Sequence, residues 1–169
     1  VVTSAAMQSD NLRLYSDWFA LLNHGYRIAG IGSSDTHDVS RFILGQARTY
    51  VKCPDTNPAK VDITKACDSF RNLRAYISMG LLVRIRLEDQ FTVGDLATNL
   101  KEQMRVNLRV LGPSWVKADK VTLYANGKTI IQKNFESNEH IEKASLKLTL
   151  PRPKHDVHLI AVATGPGIR

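Results

Sequence analysis

Residues Gly30-Ile31-Gly32-Ser33-Ser34-Asp35-Thr36-His37 set a carboxylate and an imidazole two positions apart, directly behind a short apolar run. Aspartate oxygen and neutral imidazole nitrogen are both good ligands for zinc, manganese or iron. If Ile28 to Ile31 form a strand, Asp35 and His37 leave its C-terminal end together. Open α/β sheets and barrels place their chemistry at such exits. The same spacing also suits a purely structural role, with Asp35 capping the following turn and His37 on the surface. Gly30 and Gly32 permit close backbone approach beside the pair. They do not make a dinucleotide fingerprint, because Asp35 stands where G-x-G-x-x-G needs its third glycine.

The elements that must position this pair can be read from periodicity. Leu14, Trp18, Leu21 and Leu22 recur at helical spacing, so a helix with a buried stripe is predicted from Asn11 or Asp10 to Asn23-His24-Gly25. Tyr26 to Ile31 reads as a strand. Gln46 to Cys53 reads as the next, with Thr49 and Val51 on one face and Arg48 and Tyr50 on the other. A helix beginning at Asp62 or Thr64 carries Ile63, Ala66, Cys67 and Phe70, and Leu73 to Met79 is extended. From Leu81 onward the period becomes two. Leu81, Val83, Ile85 and Leu87 alternate with Leu82, Arg84, Arg86 and Glu88, Ala144, Leu146, Leu148 and Leu150 alternate with Ser145, Lys147 and Thr149, and Asn126-Gly127 marks a type I′ hairpin. Short strands between turn signals predict a β-sandwich of immunoglobulin-like build.

Three stretches together resemble a known family: Trp18-Phe19-x-Leu21-Leu22-Asn23-x-Gly25-Tyr26-Arg27, then Gly32-Ser33-Ser34-Asp35-Thr36-His37, then Gly45-Gln46-Ala47-Arg48-Thr49-Tyr50-Val51. They are similar to the last part of a PHP-type (polymerase and histidinol phosphatase) metallohydrolase domain, in its CehA/McbA-like branch. The resemblance implies a fold class: an α/β fragment of a PHP-type barrel over residues 1–75, followed by an all-β immunoglobulin-like sandwich over residues 76–169. It also implies that Asp35 and His37 are metal ligands, and that Arg48 lies near the active-site edge, where it would bind an anionic substrate group. An arginine paired on the surface with a carboxylate such as Asp38 is the alternative. The implied activity is metal-dependent hydrolysis of an ester, carbamate or phosphoester bond in a small-molecule substrate. Ser33, Ser34 and Thr36 would hydrogen-bond around the ligands rather than act as nucleophiles.

The family opens with a His-x-His motif and adds further ligands along its barrel, and neither is present. His24 lies in the helix motif, and His140, His155 and His158 fall in the C-terminal half. The chain is therefore expected to be the C-terminal piece of a longer protein, inactive alone, whose partner is the missing N-terminal part. A homo-oligomer and an exported, periplasmic or extracellular, setting are compatible with this. The start Val-Val-Thr-Ser-Ala fits a truncated or mature beginning, and no signal peptide or membrane span is evident. Cys53 and Cys67 lack C-x-x-C spacing, which argues against zinc-ribbon and redox motifs and leaves free thiols or one disulfide. The net charge of +7 is spread over scattered Lys and Arg without interleaved aromatics, so nucleic acid is not an expected partner. The alternative to a hydrolase is a noncatalytic binding or scaffold module, with Trp115 or Tyr124 as contact residues.

Overall fold

The computed structural model describes residues 2–3, 11–39 and 44–166. Its elements are β1 (Val2–Thr3), α1 (Asn11–Asn23), β2 (Gly32–Ser33), β3 (Arg48–Val51), α2 (Ile63–Arg71), β4 (Ala75–Ser78), β5 (Leu82–Leu87), β6 (Gln103–Leu111), β7 (Lys120–Ala125), β8 (Lys128–Asn134), β9 (Glu142–Pro151) and β10 (Leu159–Thr164).

The core lies in the C-terminal half and follows from alternation. Along β6, Met104, Val106, Leu108 and Val110 are buried, while Arg105 and Arg109 are exposed. β6 is the central strand of an antiparallel sheet ordered β5-β6-β9. A second antiparallel sheet is ordered β10-β7-β8 and contributes Val121 and Leu123. Val106, Leu108 and Val110 join Val121, Leu123 and Ala118 in one buried cluster. Around it pack Val83, Ile85 and Leu87 of β5, Leu146 and Leu148 of β9, and Leu159 of β10. Each fully buried aliphatic side chain contributes about 1.5–3 kcal/mol relative to exposure. A one-residue slip in β6 would turn Leu108 to solvent and Arg109 inward, so burial enforces the register. At the β7–β8 turn, Asn126 and Gly127 have φ of 49° and 79°, the two positive values that a type I′ turn requires.

The N-terminal half differs from the expected fold class. No α/β barrel portion is present among the described residues. β3 pairs antiparallel with β4, and among the described residues the only parallel pairing, β1 with β2, is two residues long. A barrel needs successive parallel strands with helices between them. The predicted strand over Tyr26 to Ile31 is irregular, with Tyr26 and Ile28 exposed. Its partner there is a side chain: the Trp18 indole N–H donates to the Ile28 carbonyl at 2.9 Å. The immunoglobulin-like reading is also revised. Among the described residues, six strands form two three-stranded sheets in this half, fewer than the seven of an immunoglobulin constant domain.

Both helices end where local chemistry dictates. Gly25 sits at φ 84°; its N–H donates to the Leu22 carbonyl at 2.9 Å, and the Tyr26 N–H to the Leu21 carbonyl at 3.1 Å. This is a Schellman stop, in which the residue just past the helix is left-handed and glycine takes that conformation without a Cβ penalty. Asp62 caps α2 by accepting the Lys65 N–H at 3.0 Å, and Lys65 Nζ lies 3.0 Å from the same carboxylate. Among the described residues, no helix is long and apolar enough to cross a membrane.

Candidate functional site

Gly32 and Thr49 set the position of the Asp35–His37 loop. The Thr49 hydroxyl accepts the Gly32 N–H at 2.9 Å and donates to the Gly32 carbonyl at 2.9 Å, which clamps β2 to β3 through one side chain. A Cβ on Gly32 would stand 2.7 Å from the Arg48 carbonyl oxygen, so only glycine permits this approach. The chain then leaves β2 beside β3, and the next residues form the loop. Thr49 was not singled out from sequence. The available signal was its inward place in the Arg48-Thr49-Tyr50-Val51 alternation, where a hydroxyl needs a partner.

Within the loop, the Asp35 N–H donates to Ser33 Oγ at 3.3 Å, and Asp35 takes a left-handed φ of 54°. Such a conformation is uncommon for a residue with a Cβ, though aspartate tolerates it better than most. It brings the Asp35 carbonyl to 2.7 Å from His37 Nδ1. A carbonyl can only accept, so this contact favours a hydrogen on Nδ1, and a neutral ring with that tautomer has its lone pair on Nε2. The Asp35 carboxylate lies 4.0 Å from the same ring nitrogen, and the two side chains are 46% and 76% exposed. The structure thus brings Asp35 and His37 together on an open surface. Arg48 is exposed on β3, whose backbone abuts Gly32. Among the described residues, no group of three or more His, Cys, Asp or Glu side chains is placed to hold a metal ion.

A second polar constellation lies at the start of α2. Asp55 Oδ2 accepts both the Cys53 thiol at 2.7 Å and the Asp62 N–H at 2.7 Å. The hydrogen bond to Asp55 stabilises the protonated thiol and raises the Cys53 pKa above the ordinary value, with smaller contributions from burial and nearby carboxylates. Cys53 and Cys67 are both free. Thiolate is the reactive form, so this environment quenches Cys53 rather than activating it. Asp55→Ala is expected to lower the Cys53 pKa and speed its alkylation at pH 8 several-fold, because more of the thiol is then ionised. Iodoacetamide kinetics read by peptide mass spectrometry would check this, and an unchanged rate would remove Asp55 as the cause.

Half-buried aromatic groups join the N-terminal helix to the β-rich half. Phe19 is buried, with its ring 5.3 Å from Tyr124 and 6.0 Å from His158. Burial lowers the His158 pKa, and its Nε2 is enclosed without a hydrogen-bond partner. The buried anchor of α1 is thus Phe19, whereas Leu21 of the predicted stripe is 42% exposed.

No family model, no curated protein and no solved structure matches this chain. The expected relationship to PHP-type hydrolases rests on the motif residues alone.

Proposed function

We propose that this chain is the C-terminal piece of a metal-dependent hydrolase acting on ester, carbamate or phosphoester bonds, with Asp35 and His37 as two of its ligands. One observation carries the reading: His37 Nδ1 lies 2.7 Å from the Asp35 carbonyl, a contact that suits the Nδ1–H tautomer, whose Nε2 can ligate. Metal-binding histidines recurrently donate their second ring N–H to a carbonyl or carboxylate, which fixes tautomer and orientation. The exposed Asp35 carboxylate beside the ring adds an oxygen donor. The residues present therefore fit a zinc, manganese or iron ion as a partial ligand set, to be completed from outside the described residues. When bound, such an ion supplies Lewis acidity and activates water. In this reading Asp35 and His37 orient the ion, Ser33 and Thr49 hold the loop, and Arg48 binds an anionic part of the substrate.

The test has two stages. Long-range imidazole NMR on this chain should show the Nδ1–H tautomer of His37, with Nε2 shifting when zinc is added. In the longer protein, His37→Ala should lower metal content and turnover together, by more than the roughly 10- to 100-fold expected for Ser33→Ala, which removes only a supporting hydrogen bond. A panel of ester, carbamate and phosphoester substrates, with and without chelator, reads the activity. Chelator-resistant turnover, or full activity after His37→Ala, would overturn the reading.

A noncatalytic binding module is the second reading, favoured by Trp115, which is 82% exposed on the β-rich half. Exposed tryptophan is a common anchor of binding surfaces. A longer protein that binds no metal and turns over none of these substrates would select it.

A further inference from the structure

We propose that the outer face of the β5-β6-β9 sheet is a docking surface for an acidic, extended polypeptide segment. The sheet's inner face is the apolar core, so its outer face is defined by the intervening residues. Arg84 on β5 stands directly opposite Arg109 on β6. Arg86 stands opposite Asn107, which in turn faces Lys147 on β9. Like charges directly opposite on adjacent strands are destabilising, and opposite charges are favoured there. The centre of this face nevertheless carries no carboxylate.

The carboxylates sit at its rims. Glu88 and Asp89 hold Arg105 at 3.4 and 3.5 Å, and Asp89 also accepts from Asn107 at 2.8 Å. At the other end, Glu142 holds Arg109 at 2.7 Å. Arg84, Arg86 and Lys147 are exposed, and none of them is in an ion pair among the described residues. The result is a narrow cationic strip with acidic ends.

That shape selects the occupant. Arg84 and Arg86 are two residues apart on one strand, a spacing of roughly 7 Å. Alternate carboxylates of an extended peptide repeat at the same distance, and guanidinium groups bind carboxylates through paired hydrogen bonds. A nucleic-acid duplex is a wide polyanion and would meet the acidic rims. No aromatic side chain lies on this face to stack bases.

The test is fluorescence anisotropy with a labelled peptide of alternating Glu and Ser, run beside single-stranded and duplex DNA at one ionic strength. The peptide should bind the protein, and binding should weaken as salt rises. Arg84→Glu with Arg86→Glu should reduce affinity at least about 10-fold, equivalent to about 1.4 kcal/mol. Arg84→Gln with Arg86→Gln, which removes charge without reversing it, should give a smaller loss and covers misfolding of the first variant. Lys128→Glu with Lys133→Glu makes the same charge change on exposed positions of the other sheet and should alter affinity by less than about 2-fold. Absence of peptide binding, equal loss from both charge reversals, or tighter binding of either DNA would each overturn the proposal.

Discussion

Replacing Leu108 with alanine is expected to destabilise the β-rich half by about 2–5 kcal/mol, the range for truncating a leucine in a packed core. Leu108 is 1% exposed at the middle of β6, with Ile85 opposite on one side and Leu146 on the other. Alanine removes apolar atoms that contact both sheets, and neighbours held in ladders on either side can close the void only partly. Domains of this size have total stabilities of about 5–15 kcal/mol, so the loss is a large fraction of the whole. Arg109 is the next residue on the same strand, exposed and paired with Glu142. Arg109→Ala is expected to cost no more than about 1 kcal/mol, as for exposed ion pairs generally. Urea unfolding of both variants, followed by circular dichroism, measures the contrast. Equal losses for Leu108→Ala and Arg109→Ala would show that the two sheets do not share the core described here.

The contrast also explains which parts of this fold were legible in the sequence. In β5, β6 and β9 one face is buried and the other is wet, so alternation between Leu or Val and Arg or Lys reports the register directly. The cap of α2 was legible because Asp62 satisfies a backbone N–H within its own turn. Asn126-Gly127 was legible because its conformational demand is local. Tyr26 to Ile31 failed for the opposite reason. Apolar residues there suggested a buried strand, but a strand exists only with a partner, and the Ile28 carbonyl is taken by the Trp18 indole. Composition cannot distinguish a paired backbone from one satisfied by a side chain ten residues away.

The candidate site divides along the same line. The proximity of Asp35 and His37 follows from a spacing of two residues. The contact that favours the Nδ1–H tautomer of His37 depends on the left-handed φ of Asp35, which no residue type announces. The Thr49 clamp joins positions 17 residues apart, and its partner Gly32 offers only backbone groups. A single buried stripe through Leu14, Trp18, Leu21 and Leu22 does not describe α1, whose buried anchor is Phe19. The helix instead faces two neighbours, with Trp18 toward the segment leading to the site and Phe19 toward the β7–β8 turn.

That double contact makes Phe19→Ala the second large expected effect. Phe19 is 7% exposed, lies against Tyr15, Trp18, Tyr124 and His158, and covers Gly127. Truncating a buried phenylalanine costs about 3–5 kcal/mol. The loss falls on the docking of α1, because the apolar cluster around Leu108 and Leu123 does not include Phe19. Helical ellipticity should therefore melt earlier in the variant, and limited proteolysis should cut near α1 while the β-rich half persists. The pH dependence gives an independent reading. Burial lowers the folded pKa of His158, so the folded state binds its proton less tightly than the unfolded chain, whose imidazole titrates near about 6.5. The stability from the neutral imidazole is complete above that value and is lost as pH falls toward the lower folded pKa. In Phe19→Ala the ring loses cover, and its pKa should rise toward the ordinary value, which flattens this dependence. NMR titration of the His158 ring in both proteins measures the change. A His158 pKa unmoved by the substitution would show that α1 does not supply the burial, and that the helix is held to the β-rich half elsewhere.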